Sequence, residues 1–358
     1  MPRLVPLVAT GDREFVDALR RTWDAGDAVL PVDPRLPAAA TDAVRTAMRA
    51  GDDVDDGDAL VMATSGSTGE PKGVVLTHDA VAAAVRMGNA ALDVDPSSDR
   101  WLACLPLAHM GGLNVVLRAV LSGTPLELLR SFDAAAVTRS DATLTSLVPT
   151  ALARLDAGAV ARWRRILLGG SAPPPSLPPN VVPTYGLTET CGGCVYAGVP
   201  FAGVDVRVDP ATAEIHLRGP LLLRCYRDGT DPKTADGWFA TGDAGRLDDD
   251  GTLHVDGRLT DLIVTGGENV WPVAVERSLR THRAIADCVV AGRRDPEWGE
   301  CVVAWVVVHD GDDPPSLDEV RDHVKADLAP WCAPRELHVV DDLPRTPSGK
   351  VRRPTNSP

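Results

Sequence analysis

Thr64-Ser65-Gly66-Ser67-Thr68-Gly69-Glu70-Pro71-Lys72-Gly73 directly follows the apolar run Ala59-Leu-Val-Met-Ala, and its reading decides the rest of the chain. Hydroxyl side chains, three glycines and one lysine fall within ten residues. Glycines let the backbone come close to an anion and expose its N–H groups, and hydroxyls and an ammonium add further donors. That is chemistry for a polyphosphate. The loop is not of the G-x-x-x-x-G-K-[ST] type, because Pro71 precedes the lysine and Gly73 follows it. A flexible surface turn is the bland alternative.

The pattern around the loop alternates strand and helix. Residues 15–23 have helical periodicity, 29–32 read as a strand and 41–50 as a helix. Residues 51–58 form an acidic, Gly-punctuated connector. The run at 59–64 reads as a strand, with the loop and then a helix to about residue 92 after it, capped by Thr77. Residues 100–105, 126–129, 144–148, 166–168 and 181–182 read as strands and 111–121 as a helix. Such alternation predicts a mostly parallel sheet under helices. From about residue 203 the texture changes to short strands at 204–208, 214–217, 238–241 and 252–255, with Asp248–Gly251 as a turn. A small α+β unit follows, with helices at 272–280 and 317–329, the second opened by a Ser316–Glu319 capping box, and strands at 287–292, 301–308 and 337–340. The end from Arg352 reads as a tail.

The fold class expected is therefore α/β. A large N-terminal domain, residues 1–258, has mostly parallel sheets, helices and a small antiparallel β subdomain at about 203–256. A small mobile α+β C-terminal domain spans 259–353, and 354–358 is a tail. At 358 residues and a formal charge of −14, with no long basic run, the chain is a poor nucleic-acid binder. No apolar stretch is long enough to span a bilayer. Seven scattered cysteines point to the reducing cytosol, so a cytoplasmic location is expected. Oligomeric state stays open, a homodimer being one option. Of 36 basic residues only Lys72, Lys233, Lys325 and Lys350 are lysines, so a lysine that survives such arginine bias carries extra weight.

Further motifs follow the loop in order. They are Gly169-Gly170-Ser171, Tyr185-Gly186-Leu-Thr188-Glu189, Thr241-Gly-Asp243, Gly257-Arg258 and Pro344-Arg-Thr-Pro-Ser-Gly-Lys350. Each alone has a plain structural alternative: a core tyrosine, a helix-start glutamate, a turn, a solvated tail lysine. Together with the loop, over about residues 59–353, they resemble the adenylate-forming superfamily of acyl-CoA synthetases, peptide-synthetase adenylation domains and luciferases. Within it the chain is most similar to a short o-succinylbenzoate–CoA ligase. Only 63 residues precede Thr64, so part of the first subdomain is expected to be missing or shrunken.

The resemblance implies an ATP-dependent acid–thiol ligase. A carboxylate attacks the α-phosphorus of ATP, pyrophosphate leaves, and the thiol of CoA then displaces AMP. It implies that Thr64, Ser65, Gly66, Ser67, Thr68, Gly69 and Lys72 hold the phosphates. Gly169, Gly170, Ser171, Tyr185, Gly186, Asp243 and Arg258 would bind adenine and ribose. Lys350, Thr188 and Glu189 would be catalytic, with Glu189 also binding Mg²⁺, a hard cation suited to a carboxylate and phosphate oxygens. Thr260 takes the hinge position, where many members carry Asp or Lys. Gly266 and Gly267 would line the CoA path, unless they are loop punctuation. His109, Arg118, Gly186, Thr190 and Cys191 would line the acid pocket. Arg118 sits in an otherwise apolar helix and needs a partner or water. It would meet a second carboxylate of the substrate, or else snorkel at the surface. Cys191 and Cys194 are read as small pocket residues rather than half a zinc site. The favoured substrate is 2-succinylbenzoate, in menaquinone biosynthesis. The alternatives are a CoA ligase for another aryl or fatty acid, a carrier-protein-loading adenylation enzyme, and a nucleotide-binding regulator.

Overall fold

The computed structural model describes residues 1–65, 71–345 and 351–354. Gly66, Ser67, Thr68, Gly69 and Lys350 lie outside them. The chain divides into two compact units. The first is Met1–Ser171 with Pro178–Val206 and His216–Ala240, and the second is Ala172–Leu177 with Arg207–Ile215 and Thr241–Pro358. Among the described residues no helix is long and apolar enough to cross a membrane.

The first unit holds two sheets. One runs in the order Leu4–Val8, Ala28–Val32, Asp58–Ser65, Pro71–Thr77, Cys225–Tyr226. Its first three strands are parallel, and the last two pairings are antiparallel. Leu4, Leu30, Val61, Val75 and Cys225 fill one face of it together with Met48. The helix Arg13–Asp24 opens with Asp12 accepting from the Phe15 N–H at 3.2 Å and buries Phe15, Val16 and Leu19. The other sheet runs Val199–Pro200, Gly192–Tyr196, Val181–Leu187, Arg165–Leu168, Leu144–Leu147, Trp101–Ala103, Leu126–Leu128. It is parallel from Val181–Leu187 onward and antiparallel at the other edge. His78–Ala90, capped by Thr77, and Met110–Ser122 are its long helices.

The second unit holds most of an antiparallel sheet, Asp205–Val208, Glu214–Arg218, Phe239–Leu247, Leu253–Arg258, with the expected turn closed by Gly251 N–H on the Asp248 carbonyl at 2.9 Å. It also holds the sheet Glu268–Val270, Ile263–Thr265, Gly299–Val308, Ile285–Asp295, to which Glu336–Val339 adds in parallel. Val275, Leu279, Val320 and Val324 of the helices Pro272–Leu279 and Leu317–Asp327 pack on it around Val290, Val302 and Ala304. The Ser316–Glu319 capping box is present.

Two expectations change, and one strand is added. The glycine-rich loop does not lead from strand to helix. It joins two antiparallel strands, with Thr64 opposite Lys72 and Ser65 opposite Pro71. Residues 71–77 are apolar enough to pair on the neighbouring strand, and Pro71 is tolerated because it stands at a strand start. Leu4–Val8, which carried no prediction, is a parallel strand that buries Leu4 completely. The C-terminal end is no solvated tail at Arg353, whose guanidinium pairs with Asp261 at 2.9 Å and with the buried Glu276.

Candidate active site

In the first unit the hairpin of Asp58–Ser65 and Pro71–Thr77, the Glu189 turn and the 223–227 segment are tied together. Strand Val181–Leu187 ends in the tight turn Thr188–Thr190, and Gly192–Tyr196 returns antiparallel. Glu189 therefore stands at a hairpin tip, in a single 3-10 turn rather than at the start of an α-helix. The turn is fixed from within. The buried Thr190 hydroxyl accepts from the Leu187 N–H at 2.8 Å and lies 2.6 Å from the Gly192 carbonyl. Gly186 is required by close approach, since a Cβ there would lie 2.0 Å from the Gly192 oxygen. From outside, the Leu223 N–H donates to the Glu189 carbonyl at 2.7 Å, and the Tyr226 hydroxyl donates to Glu189 Oε1 at 3.1 Å. Lys72 Nζ stands 5.2 Å from the centre of the Tyr226 ring, within cation–π range. Thr64 Oγ1 donates to the Lys72 carbonyl at 3.2 Å, which closes the hairpin.

Gly169 and Gly170 follow strand Arg165–Leu168 and lie beside the Tyr185 strand. A Cβ at Gly169 would fall 2.6 Å from Thr184 Oγ1, which itself donates to the Leu168 carbonyl at 3.2 Å. Gly170 takes a left-handed φ of 89° and precedes Ser171.

The acid-pocket candidates also meet. Arg118 is only 2% exposed, so it does not snorkel. Its Nε donates to Asn114 Oδ1 at 2.6 Å, Nη1 to Asn89 Oδ1 at 3.0 Å and Nη2 to the Tyr196 hydroxyl at 2.7 Å. The Trp101 and Tyr196 rings flank it at 5.7 and 5.9 Å. Gly88 makes the room, because a Cβ there would lie 2.2 Å from Nη2. Its partners are neutral acceptors and aromatic faces, and no carboxylate among the described residues pairs with it. Asn114 carries the network onward by donating to the Cys191 carbonyl at 2.5 Å. His109 takes the N-cap position of the same helix without a side-chain capping bond and places Nε2 3.8 Å from Asp33 Oδ2. The Arg35 fork, opposed by burial, holds the Asp33 carboxyl below its ordinary range. Burial pushes the Cys191 and Cys194 thiols up to about 12, which keeps both neutral.

The second unit carries the rest. Arg258 pairs with the buried Asp243 at 2.9 Å and donates to the Thr241 carbonyl at 2.9 Å. Gly242, at φ 71°, gives its N–H to Glu214 at 2.8 Å. Thr260 lies in the turn Leu259–Asp261, its hydroxyl 3.4 Å from the Asp261 carboxylate. Gly266 and Gly267 are both left-handed, at 59° and 85°, and a Cβ on Gly266 would lie 2.7 Å from the Trp298 ring.

Tyr226, Asn114, Asn89 and Tyr196 were missed in the sequence. The available signal was that the chain has three tyrosines, and Tyr196 and Tyr226 touch Arg118 and Glu189. Among the described residues no group of three or more His, Cys, Asp or Glu could hold a metal. As a single carboxylate, Glu189 could hold Mg²⁺ only with water and phosphate oxygens as the other ligands. The phenol bond occupies Oε1 and orients the carboxylate.

The two-unit α/β architecture is that of adenylate-forming enzymes. The chain belongs to the AMP-binding enzyme family. The family profile matches residues 12–227, and that of the AMP-binding enzyme C-terminal domain matches residues 274–350. A probable 2-succinylbenzoate–CoA ligase of Mycobacterium tuberculosis is 43% identical over 348 residues, 90% of each chain. The 2-succinylbenzoate–CoA ligase of Bacillus licheniformis is 36% identical over 341 residues, 83% of this chain and 69% of the other. The o-succinylbenzoate CoA synthetase of Bacillus subtilis, solved with its acyl-adenylate intermediate, superposes with a TM-score of 0.74 at 28% identity, covering 97% of this chain and 81% of that one. An amide bond synthetase of Marinactinospora thermotolerans shares the fold at a TM-score of 0.85 and 23% identity, covering 98% of this chain and 89% of that one.

Proposed function

We propose that this chain converts 2-succinylbenzoate, ATP and CoA to 2-succinylbenzoyl-CoA, AMP and diphosphate, a step of menaquinone biosynthesis. The observation that carries the reading is 43% identity to a probable 2-succinylbenzoate–CoA ligase over nine-tenths of both chains. A carboxylate oxygen of the acid attacks the α-phosphorus and diphosphate leaves. The CoA sulfur then attacks the acyl carbonyl and AMP leaves. Charge builds on phosphoryl oxygens in the first step, so positioned cations and N–H groups supply most of the acceleration.

Lys72 and the hydroxyls of Thr64, Ser65, Ser67 and Thr68, with the Gly66 and Gly69 backbone, hold the β and γ phosphates. Thr188 donates to the α-phosphate. Glu189 would hold Mg²⁺, which would neutralise phosphate charge when bound. Tyr185, Gly186 and the Gly169–Ser171 backbone take adenine, and Asp243 with Arg258 takes the ribose. Lys350 bridges the carboxylate and the α-phosphate. Gly266 and Gly267 lie on the CoA path, in a small domain of residues 259–353 that pivots at Thr260. His109, Thr190 and Cys191 line the acid pocket. Arg118 answers the second carboxylate of the acid. A buried cation without an anionic partner among the described residues, linked through Asn114 to the Cys191 carbonyl, supports a positive pocket wall. Enclosed as it is, Arg118 acts through its field more than through an open fork. Seven free cysteines, six of them buried, fit the cytoplasm.

The test is acid-dependent diphosphate release coupled to thioester formation over a panel of aryl and fatty acids. The expected result is turnover with 2-succinylbenzoate at kcat/KM about 100-fold above that with the same acid lacking its second carboxylate, since that acid leaves the buried Arg118 charge without an anion. Equal turnover of a plain fatty acid would overturn the substrate assignment.

A further inference from the structure

Lys72 and Glu189 come from distant parts of the chain, and one side chain touches both. We infer that Tyr226 is a positioning residue that fixes the Glu189 carboxylate and the Lys72 ammonium as one unit facing the nucleotide phosphates. The inference rests on the roles proposed above for those two residues.

Tyr226 is itself rigidly placed. It lies in the two-residue strand Cys225–Tyr226, opposite Val74 on the far side of the phosphate-loop hairpin. Backbone bonds flank it on both sides, Arg224 N–H to Val75 at 2.9 Å and Arg227 N–H to Gly73 at 2.7 Å. The approach is tight: a Cβ on Gly73 would lie 2.7 Å from the Arg227 Cβ. The Arg227 guanidinium anchors the segment further on the Met48, Arg49 and Asp53 carbonyls. Glu189 is attached to the same segment by its own carbonyl, through Leu223. The phenol therefore projects from a fixed backbone toward a fixed turn. Its hydroxyl donates to one Glu189 oxygen at 3.1 Å and leaves the other for a cation. Its ring faces the Lys72 ammonium at 5.2 Å.

The two contacts separate by substitution. Tyr226→Phe removes the hydroxyl and keeps the ring. Tyr226→Leu removes both. ATP binding measured by calorimetry with and without Mg²⁺, and Mg²⁺ titrations of diphosphate release, read the two arms separately. Tyr226→Phe is expected to raise the Mg²⁺ concentration for half-maximal rate about fivefold, the scale of one lost hydrogen bond, with Mg²⁺-free ATP binding unchanged. Tyr226→Leu is expected to weaken Mg²⁺-free ATP binding as well, by about threefold. A packing role alone would lower every parameter by one common factor, with no shift in the Mg²⁺ midpoint, and would overturn the inference. Glu189→Gln and Lys72→Ala identify which layer fails. If Glu189→Gln leaves the Mg²⁺ midpoint unmoved, the reading of Glu189 falls and the inference with it. If Glu189→Gln moves the midpoint and Tyr226→Phe does not, the inference alone falls.

Discussion

Arg118 was legible as an anomaly, a charge among apolar helix residues. What enclosed it was not legible, because Asn89 and Tyr196 reach it from another helix and from a strand 78 residues on. Arg118→Met would leave Asn89, Asn114 and Tyr196 without their donor, at a cost of about 3 kcal/mol in denaturant unfolding. Arg118→Lys would keep the charge but not the fork, so about half that loss is expected, together with partial retention of affinity for the acid. A stable Arg118→Met protein would show that the network matters little to the fold. The Cys191 and Cys194 thiols, pushed to about 12 by burial, are expected to resist alkylation in the folded protein at pH 8 and to react once it unfolds. Mass spectrometry of alkylated protein checks this, and rapid labelling of either would contradict their enclosure.

At the scale of elements, period and capping were readable where local chemistry decides. Thr77 and Ser316 cap the helices they were expected to cap. The pairing of Asp58–Ser65 with Pro71–Thr77 was not readable, because a Gly-rich connector announces a phosphate site without saying which element follows. The helix-to-strand junction at Asp99 makes a test of the same kind of hidden partner. Burial would raise this carboxyl, but the Arg164 fork at 2.8 and 2.6 Å and the Thr143 hydroxyl at 2.7 Å hold it below its ordinary range. A depressed folded pKa gives stability that is present above the unfolded carboxylate value of about 4 and is lost as pH falls through the folded value. Asp99→Asn is therefore expected to cost about 3 kcal/mol at pH 7, and the gap to the parent should narrow steadily below about pH 4. A gap independent of pH would show that the pair contributes no charge-dependent stability.

For the whole molecule, the ordered motifs made the class of enzyme readable, because each constrains chemistry at a known distance along the chain. Which residues support them was set by long-range contacts. Tyr226 reaches Glu189 across 37 residues, and Arg353 reaches Asp261 across 92. Composition and spacing carry no trace of such pairs. The claim that joins the motifs is that the acid is activated as an adenylate before any thiol enters, with Lys350 serving that first step. The most direct test incubates the protein with 2-succinylbenzoate, ATP and Mg²⁺ but no CoA, and then adds CoA, beside Lys350→Ala. The account predicts 2-succinylbenzoyl-adenylate and diphosphate from the parent protein by mass spectrometry. It also predicts conversion to thioester and AMP on addition of CoA, and adenylate formation at least about 100-fold slower in Lys350→Ala. Thioester formed with ADP and phosphate as products, or normal adenylate formation by Lys350→Ala, would contradict it.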